Sequence, residues 1–288
     1  MPSRALLRLV TLVALSVAGP VTVADQSRPT QEPPVTDTPL TEERLAGLYE
    51  ARSVRVVPGD GDGGEPFDLG YRLLSPADPR PGTRYPLVVF LHGAGERGTD
   101  NQAQLKYLPA WLAEPTLRAA FPCHVLAPQC RPGRKWVETD WSAKESTPQA
   151  PPSPDMTGVI AALEATLAGG SVDPARVYLT GLSMGGYGSW DLAARMPDRF
   201  AALLPICGGG DEATAPKLAK LPIWCFHGDA DRAVPVERSR SMIAAIRAAG
   251  GEPRYSELAG VGHDSWTPAY RDRAVLEWLF AQRAAAAK

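Results

Sequence analysis

Val177-Tyr178-Leu179-Thr180-Gly181-Leu182-Ser183-Met184-Gly185-Gly186 is the stretch on which the fold turns. An apolar run leads directly into G-x-S-x-G, and an apolar helical pattern follows it. A nucleophilic serine has to stand on a sharp strand-to-helix turn, with small residues on either side to avoid clashes. The helix behind it then aims its first amides at any negative charge developing there. The bare five-residue pattern is weak, and its place between a strand and a helix gives it weight. Ser183 is therefore read as a nucleophile rather than an ordinary turn serine.

Working outward, the run Tyr85–Leu91 is apolar without alternation, as suits a strand covered on both faces. Similar runs at 124–127, 176–180, 202–206 and 222–226 read as strands. More alternating strands are expected at 53–57 and 67–73, joined by a Gly/Asp-rich turn at 59–64. Between them lie helical patterns at 155–168, 186–195, 236–249 and 269–284. The clearest has Ser153 as cap, Pro154 in its first turn, and Met156, Val159, Ile160, Leu163 and Leu167 on one face. Alternating strands and helices predict an α/β protein, a mostly parallel sheet with helices on both faces.

A serine hydroxyl needs a base, and the base needs an orienting carboxylate. In this architecture the chain order is serine, acid, histidine. Only His263 follows Ser183 with an acidic loop between, in the stretch GVGHDSW (260–266). His124 falls within a strand, and His92 and His227 end strands beside glycines, where bracing the backbone is the simpler role. The acidic loop FHGDADRAVP (226–235) offers Asp231, preferred because it lies deeper, and Asp229, whose alternative role is an Asx turn. Asp264 is expected to be solvated. The glycine-rich stretch LHGAGERG (91–98) lets backbone amides approach a substrate oxygen. An oxyanion hole would pair the Ala94 amide with that of Met184. It lacks the spacing of a phosphate loop or a dinucleotide fingerprint.

With these residues in hand, the chain resembles a serine hydrolase of the α/β-hydrolase fold. It is most similar to exported esterases of the phospholipase/carboxylesterase, feruloyl-esterase-like and "predicted peptidase" groups. The matching stretches are FLHGAGERGTDN (90–101), VLAPQC (125–130), VYLTGLSMGGYGSW (177–190), FHGDADRAVPV (226–236) and GHDSWTPAY (262–270). The resemblance implies Ser183 as nucleophile, Asp231 as acid and His263 as base, with oxyanion amides near Ala94 and Met184.

About sixteen residues separate the strands at 202–206 and 222–226, too few for a large lid or cap domain. The longest insertion, 131–154, should overhang the site. Its Trp136 and Trp141, together with Trp266 beside His263, are candidate substrate-binding rings that could equally pin the loops.

The chain has 288 residues, of which 44% are hydrophobic and 22% charged, a globular composition. A net charge of −2 without a basic cluster argues against nucleic-acid binding. Four His and four Cys, without C-x-x-C or a helical His pair, give no metal framework, and no cofactor is expected. Arg4 and Arg8 precede an apolar run from Leu9 to Ala18 and then small residues, the parts of a signal peptide over 1–24. An uncleaved anchor is the alternative. Residues 25–44, rich in Pro and Thr, read as a linker, and 45–288 as the catalytic domain. Export to a secreted or periplasmic location, with no stable membrane span after cleavage, follows from that reading.

An oxidising compartment permits disulfides. Cys123 and Cys130, however, flank a strand that would hold them about 23 Å apart, against a limit of about 7 Å. No bridge is assigned to them or to Cys207 and Cys225.

The expected activity is hydrolysis of carboxylic esters through an acyl-enzyme, on small or polysaccharide-linked substrates such as feruloyl or acetyl esters. The rivals are a serine peptidase of the prolyl-oligopeptidase type and an inactive hydrolase fold used for binding.

Overall fold

A computed structural model describes residues 40–59, 64–146 and 148–284, all within one compact unit, Asp37–Lys288. The expected leader, most of the linker and most of the turn at 59–64 lie outside the described residues.

Order begins earlier than the linker reading allows. Helix α1 (Glu42–Leu48) is capped by Thr41, whose hydroxyl accepts from the Arg44 amide, and it buries Leu45. The cap, the packing of Leu45, Ala46 and Leu48, and the Arg72 guanidinium on the Ala46 and Tyr49 carbonyls hold the turn before strand β1 (Tyr49–Val56). The remaining strands are β2 (Phe67–Leu74), β3 (Tyr85–Leu91), β4 (His124–Pro128), β5 (Val172–Leu182), β6 (Ala202–Ile206), β7 (Trp224–Gly228) and β8 (Arg254–Leu258). They form one sheet in the order β1-β2-β4-β3-β5-β6-β7-β8. The β1–β2 and β2–β4 pairings are antiparallel, and the pairings from β4 through β3 to β8 are parallel.

The unbroken apolar runs have the physical cause expected of them. Along β3, Leu87, Val89 and Leu91 enter one core while Val88 and Phe90 enter the other. Strand β5 divides likewise, with Val177 and Leu179 on one face and Tyr178 and Leu182 on the other. Both faces are therefore dry, and both must be covered by helices.

The first face carries α4 (Pro154–Ala168), α5 (Met184–Arg195), α6 (Ala215–Leu218) and α7 (Glu237–Ala248). The second carries α2 (Leu108–Ala113), α8 (Trp266–Arg271) and α9 (Arg273–Ala281), while the short α3 (Pro115–Ala120) follows α2. Helix α4 starts as its sequence predicts, with the Ser153 hydroxyl accepting from the Met156 amide. The expected helix at 269–284 is two helices. Asp272 turns extended between them, and its carboxylate accepts from the Ala274 amide to cap α9. Only the short helix α6 and a 3-10 turn stand between β6 and β7, so no cap domain overlies the sheet there.

The 131–154 insertion is sewn at its base. Arg131 forms an ion pair of 2.7 Å with the buried Asp155, and the Ser153 hydroxyl shares its one proton between the carbonyls of Trp136 and Lys135. Among the described residues no helix is long and apolar enough to cross a membrane. All four cysteines are buried and unbridged.

Candidate active site

Ser183 ends β5 and caps α5 with φ 54° and ψ −118°, a backbone state that a residue with a side chain adopts only under constraint. The constraint is visible in its neighbours. A Cβ on Gly185 would lie 1.8 Å from the Leu91 carbonyl oxygen, and one on Gly181 would lie 2.4 Å from the Gly185 oxygen. Strand β3, the turn and α5 touch backbone to backbone, which only glycine allows. Gly185→Ala is accordingly expected to cost more than about 4 kcal/mol. The measurement is the urea midpoint of unfolding, and a loss below about 1 kcal/mol would show that the elbow can relax.

The structure brings three of the expected residues into one hydrogen-bonded line. His263 Nε2 stands 2.9 Å from Ser183 Oγ, and His263 Nδ1 stands 2.7 Å from Asp231 Oδ2. The Asp231 side chain is fully buried, while its Oδ1 accepts from the Ala233 and Val234 amides. Burial alone would raise its carboxyl. The bonds from His227, His263, Val234 and Ala233 outweigh that and hold it well below the usual carboxylate range.

A depressed carboxylate gives stability that is complete above its unfolded value, near pH 4, and is lost as pH falls further. Urea unfolding followed by circular dichroism should therefore weaken below about pH 4, and Asp231→Asn should flatten that slope. An identical slope in the variant would remove Asp231 from the account.

Asp229 is turned elsewhere: instead of closing the local Asx turn that was its alternative, it accepts the Gly260 amide at 2.7 Å and braces the neighbouring loop. Asp264 is exposed, yet it is more than a solvated acid, since it accepts from the amide and hydroxyl of Thr267 in α8.

Met184 opens α5 and Ala94 opens a 3-10 turn, so neither amide has an acceptor within its own helix. The 93–96 loop lies against the serine, because a Cβ on Gly93 would be 3.7 Å from the Ser183 Cβ. His92 staples this loop. Its Nδ1 donates to the Gly93 carbonyl at 2.6 Å, and its Nε2 accepts the Cys130 amide at 2.9 Å. Burial pushes this ring down to about 4, which leaves it neutral and suited to that split role.

The three tryptophans part company. Trp136 is wholly buried; its indole N–H donates to the His92 carbonyl at 3.0 Å and its ring meets His92 edge-on. It offers no face to a substrate, and that expectation is corrected: the ring pins the loop. Trp141 is half-buried and lines an open groove of about 610 Å³ that reaches Ala233 in the Asp231 loop. Trp266 stands edge-on to His263, with ring centres 5.3 Å apart.

Three further residues belong to this neighbourhood: Tyr107 and Glu96, which the sequence did not single out, and His227, which it read only as a backbone brace. Tyr107 tilts against Trp266 at 5.5 Å and holds φ 59°, which no local pattern announces. Glu96 is buried in the 93–96 loop beside Ser183, and burial raises its carboxyl. His227 is fully buried and touches Asp231; the pattern H-G-x-x-D, which places the two four apart, is the signal that could have found it.

Among the described residues, one group could offer three metal ligands within 4.8 Å: Cys207, Asp231 and His263. A cation there would have to open the His263–Asp231 bond. It would also have to take a proton that burial holds firmly on the Cys207 thiol.

Comparison with known proteins places this geometry. A solved structure titled as a thermostable esterase superposes with TM-score 0.73 and 39% identity, covering 83% of this chain and 64% of that one. NocK of Nocardia uniformis subsp. tsuyamanensis, a protein named for esterase activity, is 29% identical over 188 residues, 64% of this chain and 51% of its own. A 39-residue segment is 54% identical to poly(3-hydroxyalkanoate) depolymerase C of Paucimonas lemoignei, 14% of this chain and 9% of that protein. The chain thus spans about half the length of NocK and under two thirds of the thermostable esterase. An acylaminoacyl peptidase of Pyrococcus horikoshii, 15% identical, shares the fold. The sequence profile of the Dienelactone hydrolase family matches residues 126–285, more than half of the chain, and takes in the elbow, the acid loop and His263. With its α/β-hydrolase fold and its esterase relatives, this chain belongs to the dienelactone hydrolase family.

Proposed function

We propose that the protein is an exported serine hydrolase of carboxylic esters. The observation that carries this reading is the line Ser183 Oγ–His263 Nε2–Asp231 at 2.9 and 2.7 Å, set on a strand-to-helix turn. His263 takes the Ser183 proton as the oxygen attacks the ester carbonyl, and the amides of Ala94 and Met184 receive the charge that forms on the carbonyl oxygen. Asp231 keeps the ring oriented and steadies its charged form. The alcohol leaves with the proton from His263, and a water deprotonated by the same ring releases the acid and restores the serine.

The substrate side is argued from the rings. Trp266 and Tyr107 make an aromatic wall beside His263, and Trp141 borders the groove on the acid side. Such walls suit an aromatic acyl group or a sugar face, hence feruloyl or acetyl esters of polysaccharide. Export rests on the basic flank and apolar run at residues 1–24.

The test is a hydrolysis panel of a short p-nitrophenyl ester, methyl ferulate, acetylated xylan and a proline-peptide amide. Methyl ferulate and acetylated xylan are expected to be turned over, with at least about tenfold higher kcat/KM for methyl ferulate than for the plain ester, about 1.4 kcal/mol of discrimination. Equal rates on every ester would withdraw the polysaccharide reading. Cleavage of the amide alone would favour a peptidase.

A further inference from the structure

His227 ends β7 beside Asp231, and counting the protons around it leads to a charge state. On one side, Ser239 Oγ of α7 has three neighbours: the Gly208 carbonyl at 2.9 Å, His227 Nδ1 at 2.7 Å and Cys225 Sγ at 3.4 Å. A carbonyl can only accept, so the single hydroxyl proton of Ser239 goes to Gly208. The contact at 2.7 Å is then a bond only if His227 Nδ1 donates. On the other side, His227 Nε2 lies 3.1 Å from the Val234 carbonyl and 3.2 Å from Asp231 Oδ2, and both of these accept. Nε2 must donate as well. With both nitrogens donating, every contact in this fully buried cluster is satisfied, as buried polar groups require.

We propose that His227 is a positioning residue bearing a proton on both ring nitrogens, and that it shares the Asp231 carboxylate with His263. The inference rests on the assignment of Asp231 and His263 to the hydrolytic line. The groups facing the ring are Asp231 from the loop, Cys225 on its own strand, and Glu257, its partner in register on β8, which is itself paired with Arg240 of α7. Asp231 Oδ2 thus accepts the His263 N–H at 2.7 Å and faces His227 Nε2 at 3.2 Å, so its charge acts on two imidazoles. Without the second ring the whole charge would act on His263, favour its protonated form and remove the free base at low pH.

The experiment combines ring-nitrogen NMR of histidine-labelled protein with pH profiles of kcat/KM for a p-nitrophenyl ester. Wild type, His227→Gln and Ser239→Ala are compared, with fluorophosphonate labelling of Ser183 in each. At pH 7 the His227 signals, identified by their loss in the glutamine variant, should show protons on both nitrogens. The acid limb of the profile should move up by about one pH unit in His227→Gln. A smaller shift in the same direction is expected in Ser239→Ala, which leaves the ring and its Nε2 contacts in place but takes the acceptor from Nδ1, along with the hydroxyl's bonds to Gly208 and Cys225. A role in packing alone would lower kcat at every pH and leave the limb in place.

One bare nitrogen on His227, or unmoved limbs in the variants that fold, would overturn the proposal. Should His227→Gln fail to fold, Ser239→Ala still decides, and the ring signals it shifts identify His227 in the NMR. Absence of turnover and of Ser183 labelling in the wild type would instead sink the hydrolytic reading, and the NMR result would stand apart from it.

Discussion

Ser183→Ala is expected to lower kcat/KM for every ester by about five to six powers of ten and to abolish fluorophosphonate labelling. The size follows from the proposed division of labour. Without the oxygen, His263 Nε2 at 2.9 Å has no proton to accept, and no acyl-enzyme can form. What remains is the pair of amides at Ala94 and Met184, which can still bind an oxyanion raised by water. The fold should survive, because the serine side chain caps nothing in α5 and its amide bond to the Ile206 carbonyl is untouched. An unchanged rate in a folded variant would move the nucleophile elsewhere and withdraw the proposed mechanism.

Asp231→Asn should cost about four powers of ten in kcat/KM while leaving KM within a few-fold. An amide at this position offers an oxygen to one partner and an N–H to another. Its oxygen is demanded by the Ala233 and Val234 amides, which turns the N–H side toward His263 Nδ1 and His227 Nε2, so His263 is no longer held with its lone pair toward the serine. Asp229→Asn supplies the contrast. Its oxygen still accepts the Gly260 amide, so kcat/KM should stay within about threefold and stability within about 1 kcal/mol. Steady-state kinetics on one p-nitrophenyl ester measures both. A larger loss in the Asp229 variant would reverse the assignment of the acid.

The two variants also mark how far the sequence could be read. The elbow was legible because its demands are local: β5 is apolar on both faces, and Gly181 and Gly185 stand where any Cβ would strike backbone. The glycine-rich stretch after β3 was legible as a close-packed loop for the same reason, and it does lie against Ser183. Asp231 was separable from Asp229 only by depth in a ten-residue loop, and the structure gives the two different partners.

What escaped is non-local. Trp136 reads as a loop ring that could either bind substrate or pin the insertion until the His92 carbonyl, forty-four residues away, is found to receive its N–H. His227 depends on Ser239, which lies on the far side of the acid loop. The edge strand β8 buries no residue fully and so shows no apolar run, and Tyr107 takes a positive φ that its neighbours in sequence do not demand.

The sewn base of the 131–154 insertion bears on how such a protein can change its diet. Arg131 and Asp155 clasp the two ends, Trp136 is locked against His92, and the Gln149 amide is bound to Asp211. The arc between the Trp136 anchor and Gln149 is held more lightly, by the packing of Val137 and Trp141 and by the Tyr187 hydroxyl on the Trp141 carbonyl, and it is the part with most room to vary. Because its ends are already held, doubling the arc would cost only about 0.6 kcal/mol of closure entropy. Natural or engineered exchange of that arc is thermodynamically cheap, and it can rewrite the groove beside Trp141 without disturbing the backbone contacts that hold Ser183 in place.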